Sequence, residues 1–398
     1  MRVLTRPTSN NLHESAFGAF NDTQSRVRVG LELGPSDIKE YGAKLLSLAA
    51  AGSSPDVMYT HPNFFSSLAS IKALADLEKL GAKTKFDFKG IQQELLESDR
   101  WNGVLYSLPY SGVAAVAVYN KDLFQKRGVP DPVEQSKQGK WTWESFREAM
   151  IKLTSRVPGQ PTEVGMAQYL SGMQYSYQWP VQGGAQVWSK DLKDCTLNGK
   201  EAIAAYEFLA QLHSKDRLAI QPEERPEFGD VQDGFTTGRV GIRFRAATEL
   251  SFYKDMAAGG ARIGVAPVPK GPANAAPRGA ANSWGVSSAS KTPDAAWEAV
   301  ASWHSDPVLK VIYADRGTSP CRLSQFDLPV FRAGAYPWED LEVEKEALKN
   351  VRLLPTPARF TEIDAIWTRG WPEVRDGKKT VKDWIVEFMP QANALLAS

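Results

Sequence analysis

The sequence predicts an α/β protein that folds as two domains. The chain has 398 residues, which is more than one hydrophobic core usually holds, and its 42% hydrophobic content is enough for two packed cores. Strand-like and helix-like segments alternate over the first 80 residues, as in parallel sheets covered by helices. A tract rich in Pro, Gly and Ala at residues 268–281 is typical of a linker, and the strand-like residues 284–287 then return to the first domain.

The first domain is predicted from a regular order of elements. Small apolar residues between 44 and 51 have helical spacing, and Gly52 supplies the permissive backbone that a helix C-terminus uses. Residues 56–59 are short and apolar enough to form a buried strand. The remaining predictions are strands at 2–5 and 27–33 and helices at 14–21 and 64–75.

The second domain is predicted to begin after a hairpin. Asn102-Gly103 suits the positive dihedral angles of a tight turn, and the strand at 113–119 then carries the chain onward. Residues 240–245 read as a further strand. Apolar residues three and four apart predict helices at 144–154, 199–213 and 232–237. Residues 173–179 alternate polar and apolar side chains, which predicts a strand whose aromatic residues share one face.

Several phrases in the sequence resemble one family in the same order along the chain. They are Gly-Ser-Ser-Pro-Asp-Val at 52–57, Tyr-Asn-Lys-Asp-Leu-Phe at 119–124, Trp-Thr-Trp-Glu-Ser-Phe at 141–146, Phe-Thr-Thr-Gly-Arg-Val-Gly at 235–241 and Ser-Trp-Gly-Val at 283–286. The family is that of bacterial extracellular solute-binding proteins, which deliver sugars to ABC importers.

The resemblance implies a type II periplasmic-binding-protein-like fold, with two α/β lobes joined by a hinge. Residues 1–110 and 283–315 would form the first lobe, and residues 111–282 and 316–398 the second lobe with the C-terminal helices. The lobes would close on a carbohydrate ligand, and the closed monomer would present it to the transmembrane subunits of an ABC permease. The resemblance also implies a periplasmic or extracellular mature form, whose signal peptide is not present in this chain.

Composition excludes several other classes. The net charge is +1, which gives no global field for nucleic acid or an anionic membrane, and no apolar run reaches the roughly 18 residues of a membrane span. Cys195 and Cys321 belong to no metal or redox motif, although a disulfide between them stays open. We expect no cofactor, no metal and no membrane insertion.

In the first lobe, candidate ligand contacts follow the predicted strands, where open α/β sheets bind ligands. The family uses the loop between the first strand and first helix, so Asn10, Asn11 and His13 are candidates, although this loop could instead cap the helix. Asn63 follows the third strand, and Tyr110 and Ser111 lie where the chain crosses to the second lobe.

In the second lobe, aromatic rings and guanidinium groups are the candidates. Flat rings pack on the C–H faces of sugars, which makes Trp179, Tyr175 and the crossing-strand Trp284 candidate platforms. Arg245 and Arg322 present forks of donors that could bind hydroxyls or an anionic group, or could form structural ion pairs.

Two alternatives remain open from the sequence. The scaffold could bind an anionic solute or an acidic or sulfated sugar, if the arginines meet at the ligand. The chain could also be a carbohydrate-degrading enzyme, but no carboxylate pair is marked by its spacing, and no phosphate-binding loop or Gly-x-Ser-x-Gly motif occurs. The sequence therefore predicts a sugar-binding protein that is not an enzyme.

Overall fold

The structure is a computed structural model that describes residues 1–8, 11–167, 172–229, 234–314, 316 and 318–397. The chain forms two compact units. The first comprises Met1–Val113, Gly279–Ala335 and Pro355–Thr361, and the second comprises Ala114–Arg278, Tyr336–Leu354 and Glu362–Ser398. The chain therefore passes five times from one unit to the other.

Strands and helices alternate as predicted. The strands are β1 (Arg2–Thr5), β2 (Gly30–Leu33), β3 (Val57–Thr60), β4 (Arg100–Trp101), β5 (Val104–Leu105), β6 (Ser107–Asn120), β7 (Val164–Met166), β8 (Val240–Ala246), β9 (Ile263–Ala266), β10 (Arg278–Val286) and β11 (Arg352–Leu353).

The helices cover much of the rest of the described chain. They are α1 (Leu12–Thr23), α2 (Ile38–Ala50), α3 (Pro62–Ser70), α4 (Leu77–Thr84), α5 (Gln93–Ser98), α6 (Lys121–Lys126), α7 (Pro132–Lys137), α8 (Trp143–Leu153), α9 (Met173–Ser176), α10 (Gln178–Gly183), α11 (Lys200–Ser214), α12 (Arg225–Phe228), α13 (Lys254–Ala258), α14 (Pro293–Ala301), α15 (Asp306–Ala314), α16 (Pro329–Ala333), α17 (Leu341–Lys349), α18 (Phe360–Arg375) and α19 (Val381–Leu396). Short 3-10 helices lie at Pro222–Glu224, Phe235–Thr237, Ala247–Tyr253, Ser302–His304 and Leu323–Asp327.

The sheet of the first unit is mostly parallel. β1 pairs in parallel with β2 and β3, and β10 adds to β3 in the antiparallel direction. The predicted hairpin is confirmed, since Asn102 and Gly103 join β4 to β5 with φ angles of 49° and 81°. Trp284, Trp297 and Trp303 are almost fully buried and belong to the core of this unit.

The second unit is built around β6. β6 pairs antiparallel with β8 and β9, and β7 pairs in parallel with β8. One apolar cluster includes Val118, Val240 and Val265, which extend from these strands into the core. All residues of β6 are buried, as expected for a central strand that begins in the first unit and ends in the second.

The structure differs from the sequence prediction at several boundaries. Residues 316–335 and 355–361 belong to the first unit, although the C-terminal part was expected in the second. The helix predicted over 64–75 ends at Ser70, and α4 starts afresh where Asp76 accepts hydrogen bonds from its first turn. The predicted linker at 268–281 already contains the first residues of β10. The helix predicted over 232–237 lies partly outside the described residues, and its end is a 3-10 turn at Phe235–Thr237.

Candidate functional site

In the first unit, polar side chains gather at the carboxyl ends of the parallel strands. β1 and β3 are neighbours and end at Thr5 and Thr60, so the segments that follow both strands lie at the same edge of the sheet. The start of β6 reaches this edge too, because Thr60 Oγ1 donates to Ser107 Oγ over 2.9 Å. This is the edge where the sequence predicted ligand contacts.

Asn63 lies at this edge near the start of α3. Pro62 occupies the first turn of the helix, and the Asn63 N–H donates to Nδ1 of His61, the N-cap residue. The side chain of Asn63 is 6% exposed, and its Oδ1 is buried without a hydrogen-bond partner. A buried acceptor of this kind has an unmet hydrogen bond that a ligand hydroxyl can supply.

Three further oxygen atoms of the first unit are buried without a hydrogen-bond partner among the described residues. Ser111 lies on β6 and is fully buried, and its Oγ makes no hydrogen bond. Thr8 follows β1, and Glu14 lies in the first turn of α1; Thr8 Oγ1 and Glu14 Oε2 are likewise unpaired. We call Thr8, Glu14, Asn63 and Ser111 the unit 1 polar group. Thr8 and Glu14 were not predicted.

The remaining residues predicted around the first helix divide into three cases. Asn10 lies outside the described residues. Asn11 is the exposed N-cap residue of α1 in a left-handed conformation, with φ 50°, and its side chain makes no capping hydrogen bond. His13 is 1% exposed; its Nε2 is 2.8 Å from Tyr110 Oη and its Nδ1 is 2.5 Å from Thr5 Oγ1. Both ring nitrogens are therefore used within the protein.

The structure places His13 and Trp284 in the core of the first unit. Trp284 is fully buried, with its ring 4.8 Å from that of His13 and 5.0 Å from that of Phe17. Tyr110 is 4% exposed, and its ring stacks on Trp284 at 5.8 Å. Burial lowers the pKa of His13 to about 3, with a smaller effect of the Arg6 charge, so its imidazole is neutral.

In the second unit, the strand predicted over residues 173–179 is wrong. The segment forms α9 and α10, so Tyr175, Tyr177 and Trp179 do not share a face. Trp179 is fully buried, with its ring 5.3 Å from that of Trp143 and 5.6 Å from that of Phe208. Trp179 lies in the core of the second unit. Tyr175 remains partly exposed.

The two predicted arginines are engaged in ion pairs. Arg245 Nη1 is 2.8 Å from Glu249 Oε1, and its Nε donates to Tyr253 Oη over 3.2 Å. Arg322 Nη1 is 3.0 Å from Asp87 Oδ2, and its Nη2 donates to the Asp87 carbonyl over 2.6 Å. Both guanidinium groups therefore form ion pairs, which is one of the two roles that the sequence left open for them.

A group that the sequence did not indicate surrounds Tyr175. The Cζ atom of Arg278 lies 4.8 Å from the centre of the Tyr175 ring. The backbone N–H of Arg278 donates to Gln178 Oε1 over 3.1 Å. Gln178 Nε2 and Arg278 Nε are buried and have no hydrogen-bond partner within the part of the chain that the structure describes. We call Tyr175, Gln178 and Arg278 the unit 2 polar group. The only signal for it was a charged residue at the end of a tract otherwise rich in Pro, Gly and Ala.

A second aromatic surface in the second unit was also missed. Tyr336 and Trp338 are half-buried and stack in parallel, with ring centres 4.6 Å apart and an interplanar angle of 1°. Trp338 Nε1 is buried without a hydrogen-bond partner. A flat pair of rings beside an unpaired donor suits a sugar ring, which has both C–H faces and hydroxyls.

Metal and membrane signals are absent from the part of the chain that the structure describes. No three His, Cys, Asp or Glu side chains there are grouped as a metal site would require. No helix among those residues has the length and apolar character of a bilayer span. Cys195 and Cys321 are both buried free thiols, and burial raises the pKa of Cys195 to about 11.

Comparison with known proteins shows the same architecture in solved structures. An ABC substrate-binding protein from Listeria monocytogenes, solved with cycloalternan, is 21% identical with a TM-score of 0.86 over 100% of this chain and 98% of its own. The sugar-binding protein MalE of Xanthomonas citri is 17% identical, with a TM-score of 0.84 and the same coverage of both chains. UgpB of Mycobacterium tuberculosis, solved with glycerophosphocholine, is 20% identical, with a TM-score of 0.82 over 98% of this chain and 95% of its own.

Comparison of sequences gives a consistent result. A putative binding protein of Brucella abortus strain 2308 is 24% identical over 386 residues, which are 91% of this chain and 82% of the relative. The type II periplasmic sugar-binding fold predicted from the sequence is confirmed by the solved structures. The model of the bacterial extracellular solute-binding protein family matches residues 10–306, and the chain belongs to that family.

Proposed function

We propose that the protein is the extracytoplasmic binding component of an ABC importer, and that it binds a mono- or oligosaccharide or a related polyol. The observation that carries this proposal is a set of buried amide, hydroxyl and carboxylate atoms in the first unit that have no hydrogen-bond partner among the described residues. A stable fold rarely leaves such atoms unpaired, and a solute rich in hydroxyls is the natural partner for acceptors and donors together.

The aromatic surfaces of the second unit support a sugar. The Tyr336–Trp338 pair and the Tyr175 ring are half-buried, whereas Trp179 and Trp284 are core residues. Rings at partly exposed positions can pack on the apolar face of a pyranose while neighbouring donors bind its hydroxyls. Solved relatives of the same fold were crystallised with cycloalternan and with tagatose, which are both carbohydrates.

The proposal includes a location and a partner. The protein would act in the periplasm or outside the cell as a monomer, and would deliver its ligand to the transmembrane subunits of a permease. Ligand release to the permease would follow a closing and reopening motion of the two units. Binding without covalent change to the ligand is part of the same proposal.

Isothermal titration calorimetry against a panel of neutral mono-, di- and oligosaccharides and polyols tests the proposal. At least one compound is expected to bind with one site per chain, and small-angle scattering should then show a smaller radius of gyration with that compound bound. Chromatography of the mixture after overnight incubation should return the ligand unchanged. Binding of no sugar or polyol, or conversion of a sugar into products, would contradict the proposal.

A further inference from the structure

Arg278 differs from the other partly buried arginines of the second unit because it has no carboxylate partner. No described carboxylate oxygen lies within 4.0 Å of its guanidinium, and Nε is buried without a hydrogen bond. By contrast, Arg147 Nε is 2.6 Å from Asp216 Oδ2, and Arg156 Nε pairs with Glu224. The Arg278 side chain is only partly buried, but its Nε is shielded from water and has no acceptor among the described residues, so it calls for an acceptor from outside the described chain.

The surroundings of Arg278 hold its guanidinium in place without using its donors. The Cζ atom lies 4.8 Å from the centre of the Tyr175 ring, a cation–π contact, and Nε has no hydrogen-bond acceptor among the described residues. Asp364 is a carboxylate on the same side of the unit, but its Oδ1 accepts from the Met173 N–H over 2.8 Å at the start of α9.

Gln178 adds a second donor to the same place. Its Oε1 accepts a hydrogen bond from the backbone N–H of Arg278. This bond fixes the direction of the Gln178 side-chain amide and turns Nε2 away from the Arg278 backbone. Nε2 is buried and unpaired, like Nε of Arg278. The unit 2 polar group therefore offers donors and one positive charge, whereas the unit 1 polar group offers mainly acceptors.

This difference between the two groups indicates the chemistry of the ligand. Neutral hydroxyls could satisfy the unit 1 polar group, since each can donate to an oxygen acceptor. They would leave the charge of Arg278 uncompensated, whereas a carboxylate, phosphate or sulfate accepts two parallel N–H bonds from a guanidinium. A ligand of the unit 2 polar group is therefore expected to carry a negatively charged substituent.

We propose, resting on the proposed function above, that the sugar bound by this protein carries an anionic group that is held by Arg278 together with Gln178. Arg278 is then a specificity-determining residue that distinguishes charged sugars from neutral ones. The binding free energy of the anionic group would depend on ionic strength, because the pair remains partly accessible to water.

Two variants and a matched control test this proposal. Arg278→Met keeps an apolar side chain beside Tyr175 and removes the charge and the N–H donors. Arg278→Lys keeps the positive charge but loses the planar pair of N–H donors that a guanidinium presents. Arg262→Met is the control, because Arg262 belongs to the same unit, is exposed and pairs with Asp122. Far-ultraviolet circular dichroism and urea unfolding verify that all three variants fold.

Calorimetry with glucose, glucose 6-phosphate and galacturonate, and thermal unfolding with inorganic phosphate, provide the measurements. We expect the wild type to prefer a charged sugar over glucose, and Arg278→Met to weaken that binding by about tenfold or more, the cost of losing hydrogen bonds to a charged group. Arg278→Lys should lose less, and Arg262→Met should bind as the wild type does. Inorganic phosphate should raise the unfolding temperature of the wild type and of Arg262→Met but not of Arg278→Met.

The outcomes separate this inference from the proposed function. If the wild type binds neutral sugars tightly and Arg278→Met binds them equally well, the proposal of an anionic group on the ligand is overturned and the proposed sugar-binding function is retained. Phosphate stabilisation that depends on Arg278, together with no sugar binding of any kind, would retain the anion site and contradict the sugar. An effect of phosphate that is equal in wild type and Arg278→Met would overturn the inference directly.

Discussion

Asn63 has a buried amide oxygen that no group in the described chain satisfies, although its backbone is well anchored. Its N–H donates to His61 Nδ1, and its carbonyl accepts from Thr361 Oγ1 over 2.7 Å. The backbone is thus held in place independently of the side chain. Substitution of the side chain should therefore affect ligand binding much more than folding.

Asn63→Ala is expected to weaken binding of the sugar found by calorimetry by about 1–3 kcal/mol, the usual cost of one lost hydrogen bond in a buried place. The free energy of unfolding should change little. Asn21→Ala is the matched control, because Asn21 Oδ1 and Nδ2 both bond to the backbone of Val29 in the same unit. Asn21→Ala should lower the free energy of unfolding and leave ligand affinity intact. If Asn63→Ala lowered the free energy of unfolding and left affinity intact, Asn63 would not be a ligand contact.

The sequence allowed some site residues to be predicted and hid others for physical reasons. The position of Asn63 follows from the end of β3, which a short apolar run marks clearly, and that of Ser111 follows from the place where the chain crosses to the second unit. The role of His13 depends on Tyr110, which is 97 positions away, and that of Arg322 depends on Asp87, which is 235 positions away. Partners so distant in sequence leave no local pattern, so both residues looked available for a ligand.

At the level of elements, α9 and α10 show how local alternation can mislead. The polar and apolar residues of 173–179 fit a period of two, but the segment is too short for periodicity to separate a strand from helical turns. Pro180 lies within the first turn of α10, where its missing N–H costs no helical hydrogen bond. The long strands and helices were predicted because their patterns extend over more residues.

Trp179→Ala tests the assignment of this segment. A cavity left by a fully buried Trp should reduce the free energy of unfolding by about 3–5 kcal/mol. The folded variant should retain its ligand affinity, because Trp179 contacts Trp143 and Phe208 in the core. Trp338→Ala is the comparison: its half-buried ring should affect calorimetric affinity and have a smaller effect on urea unfolding. Loss of affinity in Trp179→Ala without loss of stability would contradict the core assignment.

For the whole molecule, buried ionisable groups predict how stability depends on pH. His13 in the first unit and His213 in the second are buried, and burial lowers the pKa of each imidazole to about 3. Unfolded His titrates near pH 6.5. Between these values the unfolded chain binds protons that the folded chain does not, so acidification below about pH 6.5 favours unfolding.

Asp99 in the first unit makes stability depend on pH in the opposite sense to the histidines. Burial raises the pKa of this carboxyl to about 7, although the hydrogen bond from Ser283 lowers it. The folded chain therefore holds a proton that the unfolded chain loses above about pH 4, so the contribution of Asp99 to stability falls as the pH rises through about 7. The pH effects of His13 and Asp99 thus oppose each other within the first unit, whereas His213 contributes sensitivity to acid in the second.

Urea unfolding measured from pH 4.5 to 8 checks these signs. His213→Gln should flatten the loss of stability below about pH 6.5, because it removes one proton uptake by the unfolded state. Asp99→Asn should become progressively more stable than the wild type as the pH rises from about 4 to 7 and keep that advantage at pH 8, since the amide resembles the protonated acid. Equal pH dependence in the wild type and both variants would show that neither group titrates as described.

The first unit is assembled from three separate stretches of the chain, so it cannot be completed until the last of them has been synthesised. A nascent chain that has emerged only as far as Arg278 contains β1 and β3 but lacks most of β10, which pairs with the outer edge of β3. The backbone donors and acceptors along that edge stay open while the whole stretch Ala114–Arg278 of the second unit is being made. Completion of this early sheet thus waits for late residues, which makes slow compaction during translation an inherent property of the topology.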